Sequence, residues 1–411
     1  MKKISFVIIG AGNRGTKYAS KQREFPEEME VTALADNRRE RMDALNKWLQ
    51  LPEERLYPSA EALLAEKKLA DVAVIATQDA QHRAHAIAAM EKGYDLILEK
   101  PIAANEEDVK AIVDCALRLD RKVVVGHVLR YTPFYRSIYR LLREGAVGKI
   151  ESMSLAEDVG YYHIAHSYVR GNWHRLEDSS PMILAKCCHD LDLILWLSGK
   201  HCLKLNSFGS LDYFKKENCP EGAAPRCRDC LLDCVYRAET FYLGRIPGWP
   251  ANVLQPEPTE ENILKTLAET NYGRCVFQMD NDVVDHQSVN LLLEDGITVT
   301  FQMTGFNHEQ TRRIRVQGTK GDLWGDFLDK KIYWQAFGEK EPHMLDVTTI
   351  ATNFEGHGGG DSGLVRDAIR YFRGDEFDSS SITTIDRSAE SHRMAFAAER
   401  SRLSGGETLS L

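Results

Sequence analysis

Short apolar runs alternate with amphipathic stretches over the first 125 residues of the chain. The apolar runs predict strands at Ile4–Ile9, Val31–Ala35, Val72–Ala76, Leu96–Leu98 and Val123–Val125. Between them lie helical patterns such as Glu61–Lys68 and Arg83–Lys92. Strands separated by helices at this spacing are typical of βαβ units, so residues 1–125 are predicted to form a doubly wound α/β domain around a parallel sheet.

After Gly126 the strand-like segments become longer, and turn signals separate several of them. They are Glu151–Val159, Leu203–Phe214, Cys275–Asp280, Ser288–Thr304, Arg312–Gln317 and Leu323–Phe327. Glu294-Asp295-Gly296 and Gly318-Thr319-Lys320-Gly321 are typical of hairpin turns, and helices are predicted at Pro181–Leu197 and Leu364–Arg373. We therefore predict an α+β domain with a large, mostly antiparallel open sheet over residues 126–385.

Two further segments complete the predicted organisation. Residues 217–258 form an insertion rich in Pro, Gly and Cys with little periodicity. The Ala-rich segment Ala389–Leu403, followed by Gly405-Gly406, predicts a closing helix in a C-terminal piece over residues 386–411.

Composition and charge exclude several classes of partner. The chain has 411 residues, a formal net charge of −9 and 43% hydrophobic residues, as in an ordinary globular protein. A nucleic-acid partner would require a basic face, so we expect none. Apolar runs are too short to span a bilayer, and Ile4–Ile9 leads into a glycine turn rather than a cleavage site. We therefore expect a soluble, cytoplasmic protein with thiols rather than a disulfide scaffold.

A glycine-rich turn follows the first predicted strand and opens a helix. Its sequence is Gly10-Ala11-Gly12-Asn13-Arg14-Gly15. Glycines at this spacing allow a tight turn, a close approach of the backbone to a pyrophosphate, and close packing of the helix on the strand. The turn predicts a dinucleotide site, the alternative being a glycine-rich turn without a ligand.

The residue that ends the second predicted strand bears on the choice of cofactor. Asp36 follows Val31–Ala35, where a carboxylate accepts hydrogen bonds from the adenosine-ribose hydroxyls. A carboxylate repels a 2′-phosphate, which favours NAD. The adjacent Arg38 and Arg39 offer such a phosphate a cationic partner, so NADP stays open.

Glu99-Lys100-Pro101 follows the fourth predicted strand. Ligands of doubly wound sheets bind at the carboxyl ends of the strands, where Lys100 would hydrogen-bond a reacting hydroxyl and stabilise a developing alkoxide. The tripeptide alone is better explained by a solvated surface lysine.

Taken together, the motifs resemble the glucose–fructose oxidoreductase/inositol dehydrogenase/MocA family almost from end to end. The matching landmarks are Gly10–Gly15, Asp36, Ala76-Thr77 with His82, Glu99-Lys100-Pro101, Gly126–Pro133, Arg170–Trp173, His189–Asp192, Trp196–Gly199 and Gly358–Asp361. The resemblance implies a Rossmann domain and a domain with a large open sheet that serves as an oligomer interface, in a homodimer or homotetramer. It also implies NAD(P)-linked oxidation or reduction of sugars, sugar derivatives or cyclitols.

The resemblance assigns roles to individual residues. Lys100 and His189 match the catalytic pair, in which the histidine takes the carbinol proton as hydride moves to the nicotinamide. Asp192 matches a ligand of a substrate hydroxyl. The expected cofactor-binding residues are Gly10, Gly12, Asn13, Arg14, Gly15, Asp36, Thr77, His82, Glu99 and Lys100. Arg130, His166, Arg170 and Trp173 are predicted substrate-pocket residues, each with a packing role as the alternative.

One departure from the family pattern lies just before His189. Many members carry an aspartate four residues before this histidine, whereas this chain has Ala185 followed by Lys186. The nearby cation Lys186 favours the neutral form of His189. The usual carboxylate support of this histidine is missing, because Ala185 stands in place of the aspartate. A second hypothesis is that Lys186 binds an acidic substrate group such as a uronate carboxylate.

Four cysteines cluster in the insertion. Cys219, Cys227, Cys230 and Cys234 have the spacing C-x7-C-x2-C-x3-C, which is compatible with tetrahedral zinc. Unligated thiols, or one disulfide, fit the spacing equally well.

Three functions remain compatible with the sequence. The first is a reversible dehydrogenase in which Lys100 polarises the reacting oxygen and His189 exchanges its proton across a cleft. The second is redox-assisted glycoside cleavage, in which bound NAD oxidises the sugar transiently. The third is a regulator that senses cofactor or sugar without catalysis, which Ala185 leaves open and the retention of Lys100 and His189 disfavours.

Overall fold

The structure is a computed structural model that describes residues 2–411, and the chain divides into two compact units. The first unit contains the chain up to Glu144 together with Leu191–Leu197 and Asp346–Arg393. The second contains Gly145–Asp190, Ser198–Leu345 and Met394–Leu411.

A six-stranded sheet of parallel strands organises the first unit. Its strands are β1 (Ile4–Ile9), β2 (Met29–Ala35), β3 (Leu56–Tyr57), β4 (Val72–Ile75), β5 (Asp95–Leu98) and β6 (Val123–Val125). Their order is β3-β2-β1-β4-β5-β6, and every paired neighbour is parallel. This is the doubly wound order of a Rossmann domain, so the predicted fold class is confirmed. The two-residue strand β3 is too short to show a hydrophobic period in the sequence.

Helices cover the chain between and after these strands. In chain order they are α1 (Asn13–Glu24), α2 (Arg39–Leu49), α3 (Ala60–Ala65), α4 (His82–Glu91), α5 (Glu106–Arg118), α6 (Pro133–Arg143), α7 (Tyr161–Ile164), α8 (Met182–Ala185), α9 (Cys188–Ser198), α10 (Ala238–Leu243), α11 (Ala251–Leu254), α12 (Glu260–Glu269), α13 (Glu355–Gly358), α14 (Gly360–Arg373) and α15 (Ile385–Leu403).

The core of the first unit joins residues that are distant in sequence. Ile8, Val74 and Ile97 from the sheet are buried in one apolar cluster with Leu364 and Ile369 of α14. A helix that follows the second sheet in sequence therefore returns to the first unit, and brings Asp361 at its start with it.

A nine-stranded sheet organises the second unit. Its further strands are β7 (Ile150–Gly160), β8 (Cys202–Ser210), β9 (His286–Leu293), β10 (Thr298–Asn307), β11 (Thr311–Gly318), β12 (Gly321–Asp326), β13 (Lys331–Ala336), β14 (His343–Asp346) and β15 (Leu409–Ser410). The order is β14-β13-β12-β11-β7-β10-β9-β8-β15, with β7 and β10 parallel in a mostly antiparallel sheet. Both predicted hairpins, β9–β10 and β11–β12, are present.

Burial alternates from residue to residue along β9 of this sheet. On β9, Val289, Leu291 and Leu293 are buried while Ser288, Asn290 and Leu292 are exposed. One face therefore packs on the unit's core and the other is turned outward.

Two predicted elements of the second unit are wrong. The helix expected at Pro181–Leu197 is broken between Ala185 and Cys188, so that α8 and α9 are separate. The strand expected at Cys275–Asp280 is a series of turns. The insertion that showed little periodicity instead contains α10 and α11, which pack with α12 in a small apolar core of their own.

Across residues 2–411, no helix combines the length and the apolar character needed to cross a membrane.

Candidate active site

The glycine turn has room on the side where a pyrophosphate would approach. A Cβ on Gly10, whose φ is +95°, would lie 2.5 Å from the Ala76 oxygen, and one on Gly15 would lie 1.8 Å from the Gly10 oxygen. The nearest atom to a Cβ on Gly12 is 3.7 Å away, on Arg41. Within the described chain no side chain caps α1 at Gly12, which leaves the first-turn N–H groups to an anion. The residues present therefore fit a dinucleotide.

Asp36 is buried against this turn at the end of β2. Its Oδ2 accepts the Ala11 N–H at 2.7 Å, and its Oδ1 accepts the Arg38 N–H at 2.8 Å. The guanidinium of Arg41 lies 3.7 Å from the carboxylate. Asp36 thus holds the turn in place, and its carboxylate oxygens retain lone pairs for further donors.

Arg38 and Arg39, the two arginines that left NADP possible as the cofactor, each form ion pairs with acidic side chains at the surface. Arg38 donates to Glu40 at 2.7 Å, and Arg39 donates to Asp43 at 2.7 Å and pairs with Glu53. Arg41, one turn into α2, is the cation next to the turn, and the spacing of the motif gave no signal for it.

A buried ion network joins the turn to Glu99. Arg14 Nε donates to Glu99 Oε1 at 2.7 Å, and Nη2 donates to Asp361 Oδ1 at 3.0 Å. Tyr18 donates to the same Glu99 oxygen at 2.6 Å. Burial raises the pKa of both carboxyls, but the neighbouring positive charges, Arg14 first among them, and the hydrogen bonds to the carboxylates together outweigh it. The pKa of Glu99, and more strongly that of Asp361, therefore lies below the usual range.

Hydrogen bonds hold the residues on both sides of Lys100 in place. Glu99 is fixed by Arg14, as above. His82 Nδ1 lies 2.8 Å from the Pro101 carbonyl oxygen. The Ile102 N–H donates to His392 Nε2 at 2.9 Å, so His392 carries its proton on Nδ1, which donates to the Ser388 oxygen.

Thr77 and His82, both predicted to lie near the nicotinamide, belong to this same region. His82 Nε2 lies 3.2 Å from the Thr77 carbonyl oxygen, and the Thr77 hydroxyl lies 3.1 Å from His85 Nδ1. His85, three residues after His82 on α4, was not identified from the sequence, although both histidines face the same side of the helix.

Arg130 and Asp192 form a bidentate ion pair within the first unit. Arg130 Nε and Nη2 donate to the two carboxylate oxygens at 2.6 and 2.5 Å. Burial raises the pKa of Asp192 despite this cation. Thr132 caps α6 by accepting the Tyr135 N–H, with Pro133 at the first helical position, and this start fixes the turn on which Arg130 lies.

Two buried histidines lie close to each other in the first unit, His127 and His392. Their ring centroids are 5.5 Å apart in an edge arrangement. Burial lowers the pKa of His392 to about 3, and it lowers that of His127 well below its usual value. Both rings are therefore neutral at pH 7, and neither was singled out from the sequence.

In the second unit, Lys186 belongs to a buried cluster of charges. Lys186 Nζ lies 3.4 Å from Glu157 Oε1, and Arg312 pairs with Glu157 at 2.5 Å and with Asp190 at 2.9 Å. Gln310 also donates to Glu157. Burial raises the pKa of Asp190 against the opposing charge of Arg312. The positive charge beside His189 that the sequence suggested is thus offset by Glu157, a carboxylate from β7 that the local motif could not reveal.

His189 is 5% exposed and lies at the start of α9, one residue after the break that follows α8. Asp192 lies three residues further along the same helix. His189 and Asp192 therefore lie on one helix, as predicted. That helix begins at Cys188, later than the predicted start at Pro181.

His166, Arg170 and Trp173 occupy one segment of the second unit. His166 Nδ1 lies 2.8 Å from the Tyr242 hydroxyl. Arg170 is 2% exposed and donates to the carbonyl oxygens of Arg274 and Tyr236. Trp173 is half-buried near Tyr168. The segment is therefore anchored to the insertion through His166 and Arg170.

The predicted zinc site is not supported. Among residues 2–411 there is no group of three or more His, Cys, Asp or Glu side chains placed to hold a metal ion. The thiols have separate protein partners instead, since Cys219 accepts from Gln278 at 3.3 Å and Cys227 accepts from Arg170 at 3.3 Å. All four cysteines of the cluster are present as thiols.

Several known proteins that are similar to this chain are described as oxidoreductases or dehydrogenases. Residues 4–127 match a family model described as "Oxidoreductase family, NAD-binding Rossmann fold". The protein YteT of Bacillus subtilis is 23% identical over 318 residues, which are 72% of this chain and 71% of YteT. Inositol 2-dehydrogenase 2 of Saccharopolyspora erythraea is 30% identical over 132 residues, which are 32% of this chain and 35% of that protein. The chain thus spans about a third of this second relative.

A solved structure shares the fold over the full chain. The WlbA dehydrogenase of Bordetella pertussis, solved with NADH and UDP-GlcNAcA, superposes with a TM-score of 0.70 at 18% identity, covering 100% of this chain and 98% of that one.

Proposed function

Because this chain belongs to the glucose–fructose oxidoreductase/inositol dehydrogenase/MocA family of oxidoreductases, we propose that its substrate is a sugar, a sugar derivative or a cyclitol. In the proposed reaction, hydride moves between a carbinol carbon of that substrate and the nicotinamide of NAD. A polyol substrate is supported by the inositol dehydrogenase among its relatives and by the number of buried polar and charged side chains at the predicted site.

The observation that carries the proposal is the bracing of the Lys100 segment. Lys100 follows β5 and the glycine turn follows β1, so both lie at the carboxyl edge of the parallel sheet, with β4 between the two strands. The ion pair of Glu99 with Arg14 ties the lysine's neighbour directly to that turn. A solvated surface lysine requires no such fixed neighbours on either side.

In the proposed mechanism Lys100 donates a hydrogen bond to the reacting oxygen. As the oxygen gains negative charge in the transition state, a fixed ammonium stabilises it more than it stabilises the ground state. When bound, NAD supplies the hydride acceptor. The fixed position of Glu99 and Pro101 means that Lys100 needs little reorganisation to act.

His189 is proposed to exchange the carbinol proton. Its usual carboxylate partner is replaced by Ala185, and the nearby cation Lys186 is neutralised by the buried Glu157. A histidine suits this role because its ordinary pKa lies close to neutral pH, so that it can take up and return a proton.

A screen of sugars, uronates and inositols for change in nicotinamide absorbance, with either cofactor, tests the proposal. On the best substrate we expect Lys100→Met to lower kcat by roughly 10²–10⁴-fold while NAD still binds. Lys110→Met, which removes an exposed lysine of α5, is the matched control and should retain full activity.

Any one of three results would contradict the proposal or favour another function. Full activity of Lys100→Met would contradict the role of that lysine. A Lys100→Met protein that still binds sugar and cofactor, in a chain whose wild type turns over no substrate, would favour a sensor. Cleavage of a glycoside without net reduction of NAD would favour redox-assisted elimination.

A further inference from the structure

The cysteine pair Cys227 and Cys230 lies across a single closed turn of the insertion. Residues Cys227–Asp229 form one 3₁₀ turn, and the Cys230 N–H donates to the Cys227 oxygen at 3.1 Å. A closed turn of this kind brings its first and fourth Cα atoms within about 7 Å. A disulfide needs Cα atoms roughly 4.4–6.8 Å apart, so the turn brings these two residues to about the separation that a bond between them requires.

Both thiols line a cavity of about 420 Å³ in the second unit. Its walls also include Cys234, Cys275 and the aromatic residue Phe277. Cys227 is 8% exposed, whereas Cys230 is only partly buried. This difference matches the two roles of a dithiol, in which an accessible thiol attacks an external disulfide and a shielded thiol resolves the product.

The surroundings favour the thiolate at Cys230 and hold the sulfur of Cys227 in place. Backbone hydrogen bonds from Ala224 and Leu232 hold the pKa of the Cys230 thiol below its usual value. The guanidinium of Arg170 donates a hydrogen bond to Cys227 Sγ at 3.3 Å, which fixes the position of that sulfur.

We propose that Cys227 and Cys230 form a redox-active dithiol that a low-molecular-weight disulfide, such as glutathione disulfide, oxidises to an intramolecular disulfide. The Cys230 thiolate attacks one sulfur of the reagent, forms a mixed disulfide and expels one thiolate. Cys227 loses its proton and attacks the Cys230 sulfur, which forms the internal bond and expels the second thiolate. Two protein thiols are oxidised, and one external disulfide is reduced to two thiols.

Oxidation of Cys227 would also change the contacts of the segment that contains His166 and Trp173. Arg170 lies between them in sequence and donates to Cys227, so loss of the thiol removes one of the contacts that hold this segment to the insertion. Since the segment is a predicted part of the substrate pocket, we expect oxidation to change KM for the substrate and leave NAD affinity unaltered. This consequence rests on the proposed function, whereas the thiol chemistry itself does not.

The chemistry is tested on the full-length protein with glutathione disulfide. We expect two of the nine thiols to be lost without retention of glutathione. Tryptic digestion separates Cys227 from Cys230 at Arg228, so mass spectrometry of the unreduced digest should show those two peptides linked. Because the second peptide also contains Cys234, the Cys234→Ser variant should give the same link.

Variants define the order of attack. Cys227→Ser should stop at a glutathione adduct on Cys230, and Cys230→Ser should form neither adduct nor link at this turn. Cys115→Ser, which removes a buried thiol of α5, is the control and should behave as wild type. Unchanged thiol content, a link that excludes this pair, or stoichiometric zinc or iron that protects the thiols in purified protein would each overturn the proposal. A Cys227–Cys230 disulfide that forms without a change in KM would support the redox-active dithiol. It would contradict the proposed role of the segment around His166 and Trp173 in binding substrate.

Discussion

Arg130 and Asp192 are paired through two parallel hydrogen bonds, with 4% and 1% of their side chains exposed. The sequence suggested both as substrate ligands, yet their strongest observed contact is with each other. The pair fixes the carboxylate of Asp192 in one orientation, and its oxygens retain lone pairs that can accept from a substrate hydroxyl. The role of either residue toward the substrate stays a prediction.

This pair predicts an asymmetric response to substitution. Arg130→Met leaves a buried carboxylate without its cation, and we expect it to lower the free energy of unfolding by about 3–5 kcal/mol. Replacing both residues, as Arg130→Met with Asp192→Leu, should recover much of that loss because no buried charge remains unpaired. Urea denaturation of the two variants measures the difference.

The exposed pair Lys110–Asp114 on α5 is the control for this comparison. Breaking it with Lys110→Met should cost about 0.5 kcal/mol or less. If the double variant at 130 and 192 is as unstable as Arg130→Met, burial of the unpaired charge is not the cause of the loss.

A second prediction concerns the cofactor. Asp36 accepts two backbone hydrogen bonds at the turn, and Arg38 and Arg39 are engaged by carboxylates, so the wild type should bind NAD more tightly than NADP. Asp36→Ser should weaken NAD binding by roughly 10- to 100-fold, the effect of losing a charge-assisted hydrogen bond, and weaken NADP binding much less. Calorimetric titration with both cofactors checks this.

Glu54→Ser removes an exposed carboxylate that follows α2 in sequence, and it should leave both affinities unchanged. Equal weakening of NAD and NADP by Asp36→Ser would mean that Asp36 only supports the turn and does not select the cofactor.

The parts of the fold that the sequence predicted are those with a regular local signal. Strands such as Ile4–Ile9 and the hairpin around Glu294–Gly296 agree with the structure, because their hydrophobic period and turn residues are local. The strand expected at Cys275–Asp280 is wrong, since its apolar residues serve the insertion's cavity rather than a sheet.

The residues of the candidate site also differ in whether a local sequence signal marks them. The glycine turn and Asp36 were found because their chemistry is encoded within a single βαβ unit. Glu157 and His392 were missed, because each contacts its partner across a large separation in sequence, Glu157 with Arg312 and His392 with Ile102. No local spacing marks such a residue, and only the assembled fold brings it to the site.

A third prediction separates the two hypotheses for Lys186. Its ammonium lies 3.4 Å from Glu157, and one hypothesis is that it also binds a substrate carboxylate. We expect Lys186→Met to lower kcat/KM for carboxylated sugars by about 10- to 100-fold more than for neutral ones. Steady-state kinetics on a uronate and its parent sugar measure this.

Lys149→Met removes a half-exposed lysine next to β7 and should affect neither substrate. Equal losses on both sugars with Lys186→Met would mean that Lys186 stabilises the buried charges of Glu157 and Asp190 rather than binding a substrate.

The last prediction concerns acid stability and the neutral His392. Burial lowers its pKa in the folded protein to about 3, whereas a histidine in the unfolded chain titrates near 6.5. Below about pH 6.5 the unfolded state therefore binds a proton that the folded state does not, and stability falls as the pH falls. The contribution of this one group is up to about 1.4 kcal/mol per pH unit, and it is lost progressively between about pH 6.5 and 3.

His392→Gln removes the titration while a side-chain oxygen can still accept the Ile102 N–H. Its free energy of unfolding should depend on pH less steeply than that of the wild type, by about one proton, when urea denaturation is measured between about pH 7.5 and 5. His308→Gln removes a histidine whose side chain is 86% exposed, and it should leave the wild-type slope unchanged. If His392→Gln and His308→Gln have the same slope, His392 does not remain neutral in the folded protein, and the bracing of Ile102 beside Lys100 must come from another group.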